Sequence, residues 1–112
     1  MRFEVEERAG VQVLRLEGEL TDEPAEELSE RAHAILEAPG ARLVVDLSGA
    51  TYLNSAGLGA LVHLTAQANL EERRVALAAP NSFVSGVLEM TKLNKFFDVH
   101  DTVESAVAKL KA

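Results

Sequence analysis

Apolar residues in the first part of the chain fall at every second position. Phe3 and Val5, then Val11, Val13, Leu14 and Leu16, predict two strands joined at Ala9-Gly10. Gly18 is expected to end the second strand. Asp22 is then expected to cap a helix that admits Pro24 in its first turn. Ala25, Leu28, Ala32, Ile35 and Leu36 recur at helical spacing on its inner face, and Pro39-Gly40 stops it. Leu43-Val44-Val45 with Leu47 forms a continuous apolar run. Such a run predicts a central strand from Arg42 to Leu47, buried on both faces.

A polar-to-apolar loop from Asp46 to Ser55 follows, then a helix from Ala56 to about Leu70. Leu58, Leu61, Leu64, Thr65 and Ala68 line one side of it. Val75 to Ala79 predicts another buried strand, and Pro80-Asn81-Ser82 opens a helix to about Met90. Phe96-Phe97-Asp98-Val99 reads as a short edge strand. Asp101 or Thr102 caps a last helix with Val103, Ala106, Val107 and Leu110 inward. The predicted order is ββαβαβαβα, an α/β fold. Alternating strands and helices require a mixed, mostly parallel sheet of four to five strands, with right-handed crossovers. At 112 residues there is room for one core, so residues 1–112 are expected to form one domain.

Composition narrows the function classes. The net charge is −7, which denies the chain the basic footprint that nucleic acid requires and opposes a resting place on an anionic membrane. Aromatic residues are 4%, so the core must be built from Leu, Val and Ala. With no cysteine there is no disulfide and no thiolate metal site. Met1 to Gly10 has no apolar run of the signal-peptide kind, and no stretch reaches the length needed to span a bilayer. The expectation is a soluble, cytoplasmic protein.

The candidate chemistry lies in Asp46-Leu47-Ser48-Gly49-Ala50-Thr51-Tyr52-Leu53-Asn54-Ser55-Ala56-Gly57-Leu58-Gly59. Ser55 is placed as the N-cap of the following helix, its hydroxyl near orphan backbone N–H groups. Gly57 and Gly59 keep the first turn bare for close approach by another molecule. Read on spacing alone, Ser55 is an ordinary cap. A nucleophile elbow would need glycine two residues before the serine, where Leu53 stands. His33, His63 and His100 are not forced into contact with it. A dinucleotide-binding glycine loop would need glycine where Val62 stands. Asp22, Glu23, Glu26, Glu27 and Glu30 read as a solvated helix face rather than a metal site.

The same run resembles the signature of the STAS domains, most closely the bacterial anti-sigma factor antagonists. That signature is a strand ending in Asp-Leu, here Asp46-Leu47, then a loop and Asp-Ser-(Ser/Thr/Ala)-Gly-Leu-Gly, here Asn54-Ser55-Ala56-Gly57-Leu58-Gly59. Gly18-Glu19-Leu20 matches the family's Gly-Glu-Leu-Asp turn. Met90-Thr91-Lys92-Leu93 matches its Met-(Ser/Thr)-Gly-Leu region. The resemblance covers nearly the whole chain and implies a sheet with its helices mainly on one side.

It also implies a function. Ser55 falls on the phosphoacceptor, and Asn54, Ser55, Ala56, Gly57, Leu58, Thr21 and Asp22 on the partner-binding surface. Lys92, Asn94 and Lys95 are read either as a border of that surface or as ordinary surface. The implied partner is an anti-sigma factor that is also a serine kinase of the histidine-kinase-like ATPase fold. Unphosphorylated, the chain would bind it and release a sigma factor; phosphorylation of Ser55 would reverse this, and a serine phosphatase would reset it. The chain itself would be no enzyme and would hold no cofactor or metal, since ATP belongs to the kinase. Two departures stand out: Asn54 occupies a position that is acidic in familiar members, and Thr21 one that is often Asp. The alternative within the resemblance is a scaffold or regulatory subunit of another signalling or transport complex. A small hydrolase acting through Ser55 is the alternative from a different class.

Overall fold

The computed structural model describes residues 1–112. Its elements run β1 (Arg2–Arg8), β2 (Val11–Leu20), α1 (Asp22–Leu36), β3 (Arg42–Leu53), α2 (Ser55–Leu70), β4 (Arg74–Ala78), α3 (Ser82–Met90), β5 (Val99–His100) and α4 (Val103–Lys111). The order is the predicted ββαβαβαβα. The five strands lie side by side in sequence order, with β1 antiparallel to β2 and every later pair parallel. Ala9 and Gly10 turn the hairpin with both φ positive, 52° and 82°, the backbone that a two-residue hairpin loop requires.

The continuous apolar run in β3 divides between two layers because side chains alternate across a strand. Leu43, Val45 and Leu47 join the larger core with Leu14, Leu16 and Leu77, beneath α1, α2 and α3. Val44 points the other way, into a smaller cluster with Val11, Val13, Ala76 and Ala78, which α4 covers with Ala106, Val107 and Leu110. Three helices therefore lie on one face and one on the other. Two arginines close helix ends. Arg73 Nε donates to the Leu36 carbonyl of α1 at 3.0 Å. The Arg74 guanidinium donates to the carbonyls of Lys109, Leu110 and Ala112 at the end of α4.

The structure corrects several sequence expectations. Gly18 does not end β2, and Leu47 does not end β3. Both strands continue, to Leu20 and Leu53, with irregularities in register between Arg15 and Glu17 and between Gly18 and Glu19. Glycines make this possible. Gly18 adopts φ +112°, and a Cβ on Gly49 would run into the Leu16 carbonyl and the Glu17 side chain. The polar composition of residues 48–52 thus belongs to a bulged strand extension rather than to a loop. Phe96 and Phe97 are likewise not strand. They form a turn that drives Phe97 into the core, with Phe96 against it edge-on at 5.1 Å.

Behind the sheet, Asp46 is nearly buried, yet it accepts from the Ser48 backbone N–H at 3.0 Å and faces Arg15 at 3.4 Å. Partial burial opposes the charge on Arg15, but Asp46 and then Glu17 outweigh it and raise the guanidinium above its ordinary value.

Candidate functional site

β2, β3 and β4 are parallel, so their C-terminal ends gather on one edge of the molecule. There each feeds a helix on the larger core's face: α1 after Thr21, α2 after Asn54, α3 after residues 79–81. Binding surfaces in parallel sheets form at this edge.

Asn54, not Ser55, is the N-cap of α2. Its Oδ1 accepts from Gly57 N at 3.0 Å, satisfying one of the orphan N–H groups of the first turn. Ser55 is the first helical residue and is exposed, as is Ala56. The Ser55 hydroxyl is thereby released from capping and presented to solvent beside the positive end of the helix. The same side chain of Asn54 donates through Nδ2 to Asp22 Oδ1 at 2.9 Å. One amide thus fixes the start of α2 and ties it to the start of α1. Asp22 does not cap α1 either. Thr21 holds that position, with no side-chain cap bond, while its carbonyl accepts from Ala25 N at 2.7 Å.

The two glycines after Ser55 behave differently. Gly57 is buried, and a Cβ there would collide with the carbonyl oxygen and side chain of Leu20 at the end of β2. It lets α2 seat against β2 and offers no side to an incoming molecule. Gly59 faces open space and keeps that flank of α2 bare. Leu58 is half-buried against the core. A shallow depression between the two helix starts is lined by Asp22, Ala25, Glu26, Ala56, Gly59 and Ala60. The structure therefore brings Thr21, Asp22, Asn54, Ser55, Ala56 and Leu58 to one edge and turns Gly57 inward. Lys92, Asn94 and Lys95 lie beyond the far end of α3. That helix carries the chain roughly 12 Å away from this edge at its ordinary rise.

Two features escaped the sequence reading. Asn81 repeats the role of Asn54 at α3. Its Oδ1 accepts from Val84 N at 2.8 Å, and its Nδ2 donates to the Ala50 carbonyl at 3.0 Å. The repeated Asn-Ser pair was the available signal. Beside it, Tyr52 stacks on Phe83 with ring centroids 5.2 Å apart, and both rings stay substantially exposed. No periodicity could pair residues so far apart in sequence.

None of the three histidines bonds Ser55. His33 faces Glu37, and the His100 ring bridges Asp98 at 2.9 Å and Ser105 at 3.0 Å, tying β5 to α4.

The STAS domain family model matches residues 2–106. The chain belongs to the STAS domain family. Among solved structures, an anti-sigma factor antagonist from Mycobacterium paratuberculosis is 27% identical, with a TM-score of 0.87 over 99% of this chain and 94% of that one. The Bacillus cell fate determinant SpoIIAA in its phosphorylated form is 19% identical, with a TM-score of 0.75 over 97% and 99%. A sulfate transporter family protein from Wolinella succinogenes is 18% identical, with a TM-score of 0.79 over 91% and 85%. The last two share the STAS fold with this chain at identities that speak for architecture alone. No helix of this STAS domain is long and apolar enough to cross a membrane.

Proposed function

We propose that this STAS domain is an anti-sigma factor antagonist. In its unphosphorylated form it binds an anti-sigma factor that is also an ATPase-fold serine kinase, and so frees a sigma factor. The observation that carries the reading is Ser55, exposed at the first position of α2 while Asn54 does the capping. A hydroxyl freed from structural duty can be modified without unfolding the helix beneath it. The 27% identical antagonist from Mycobacterium paratuberculosis supports the same reading.

The reaction is phosphoryl transfer. The Ser55 oxygen forms a bond to the γ-phosphorus of ATP, the bond from that phosphorus to the bridging oxygen breaks, ADP departs, and the hydroxyl proton passes to a base on the kinase. The chain supplies only the acceptor and its placement. The product carries about −1.5 to −2 charges at neutral pH. At a helix N-terminus those charges meet partial positive charge, so the fold tolerates them. A partner packed tightly over Ala56 and Leu58 does not, because it would have to bury a dianion. A serine phosphatase restores the hydroxyl.

One observation favours the second reading, a scaffold or regulatory subunit of another complex that uses the same edge without the switch. Asn54 stands where the resemblance leads one to expect an acid, and both ends of its amide are already engaged, by Gly57 and Asp22.

The experiment is a pull-down with the wild-type chain, Ser55→Ala and Ser55→Asp, followed by purification of any ATPase-fold kinase recovered. Retention by the first two and loss with Ser55→Asp, together with phosphate transfer to Ser55 in the purified pair, supports the switch. Recovery of a transporter or large scaffold indifferent to residue 55 replaces it with the second reading.

A further inference from the structure

The stacked pair Tyr52–Phe83 is at odds with the economy of the rest of the chain. There are only one tyrosine, four phenylalanines and no tryptophan in the sequence. Yet Tyr52 is 41% and Phe83 44% exposed. Their ring planes are inclined by 30°, so the two rings stack on one another while each side chain stays well exposed. Burying such rings is among the largest apolar gains open to a small domain, and this pair forgoes much of it.

The charge around the pair is one-sided. Residues 16–23, 48–60 and 79–86, which build this edge, contain Glu17, Glu19, Asp22 and Glu23 and no lysine or arginine. Glu17 is answered by Arg15 at 3.4 Å and Arg2 at 4.0 Å. Glu19, Asp22 and Glu23 have no ion-pair partner anywhere in the chain. Glu19 stands directly opposite Tyr52 in the β2–β3 register, so carboxylate and ring share a face of the sheet.

We infer that this patch receives an arginine-bearing, basic surface of a partner protein, with a guanidinium lying on the exposed face of the Tyr52–Phe83 pair and Glu19 and Asp22 as its counter-ions. A planar guanidinium stacks on aromatic faces and is weakly hydrated, so it suits a site that is half ring and half carboxylate. The chain makes one such contact internally, where Arg31 sits 5.0 Å above the Phe3 ring. A second copy of this chain would bring carboxylates against carboxylates, and a nucleic acid would bring phosphates. The inference rests on the proposed docking role of this edge. It adds the chemistry of the partner and does not depend on modification of Ser55.

The probe is a short tetra-arginine peptide, with tetra-lysine and tetra-glutamate peptides of the same length as controls. Each is titrated into the isotope-labelled full chain and followed by amide chemical shifts. The arginine peptide is expected to shift Glu19, Asp22, Tyr52 and Phe83, to bind better than the lysine peptide, and to weaken as salt is raised. Tyr52→Leu or Phe83→Leu, which keep apolar bulk, should weaken it by roughly three- to tenfold. Glu19→Lys with Asp22→Lys should abolish it. Shifts spread evenly over Glu26, Glu27, Glu30 and β1, or binding unchanged by both leucine variants while their spectra stay native, would overturn the inference. A kinase that responds to residue 55 but ignores Tyr52 and Phe83 would overturn it and leave the switch standing. The expected peptide result, with every partner indifferent to residue 55, would do the reverse.

Discussion

The Asn54 side chain joins two helix starts, accepting from Gly57 N and donating to the Asp22 carboxylate 2.9 Å away. Capping by asparagine commonly contributes about 1 kcal/mol. Asn54→Ala loses both bonds and should cost roughly 1–2 kcal/mol in urea denaturation. Asn54→Asp keeps the cap but sets two carboxylates against each other, and Asp22→Asn should recover much of that loss. A double-mutant cycle in which the two changes simply add would show that the bond does not couple α1 to α2.

Gly57 and Gly59 are both helical glycines, but alanine should act on them in opposite directions. Gly57→Ala drives a Cβ into the Leu20 carbonyl and should destabilise by about 1–3 kcal/mol. Gly59→Ala meets nothing and removes glycine's backbone entropy, for a gain of about 0.5–1 kcal/mol. Thermal denaturation of the two variants side by side decides it, and a shared sign would contradict the packing described for the start of α2.

Ser55→Asp places a carboxylate in the first turn of α2, where the helix dipole favours it by about 0.3–1 kcal/mol. Its stability should equal or slightly exceed that of wild type. A clear loss in chemical denaturation would mean that the fold does not accept charge at this position, and the proposed switch would then work by local unfolding.

Arg74 closes the C-terminus of α4 through three carbonyls, at 3.1, 3.4 and 3.3 Å. Arg74→Ala should cost about 1–3 kcal/mol through these charge-assisted bonds. The loss should show first as faster amide exchange in α4 and in the residues it covers, while α1 and α2 keep their protection. Uniform loss across all helices would argue that α4 is not a separate unit.

Much of this architecture was legible in the sequence, for reasons that differ element by element. The core faces of α1 and α2 follow from helical spacing, and the double-sided burial of β3 from its unbroken apolar run. The extension of β2 and β3 past Gly18 and Leu47 was not legible. It depends on Gly49 meeting Glu17 across the strand pair, a contact that polar composition conceals. The position of Ser55 at the start of α2 was legible from the motif, but its reading as the cap was wrong. Serine and asparagine are both good caps, and only geometry assigns the cap to Asn54. Tyr52–Phe83 joins the end of β3 to the start of α3, so it exists only in the fold.

The seating of Gly57 on Leu20 has a consequence for anyone who maps this surface by mutagenesis. Leu20 is fully buried and belongs to a different strand, yet its carbonyl and side chain set the height at which α2 begins. Bulk added at Gly57, or a reshaped side chain at Leu20, would tilt Ser55 and Ala56 together. In a binding screen such variants would score as lost contacts, although no partner could touch either residue.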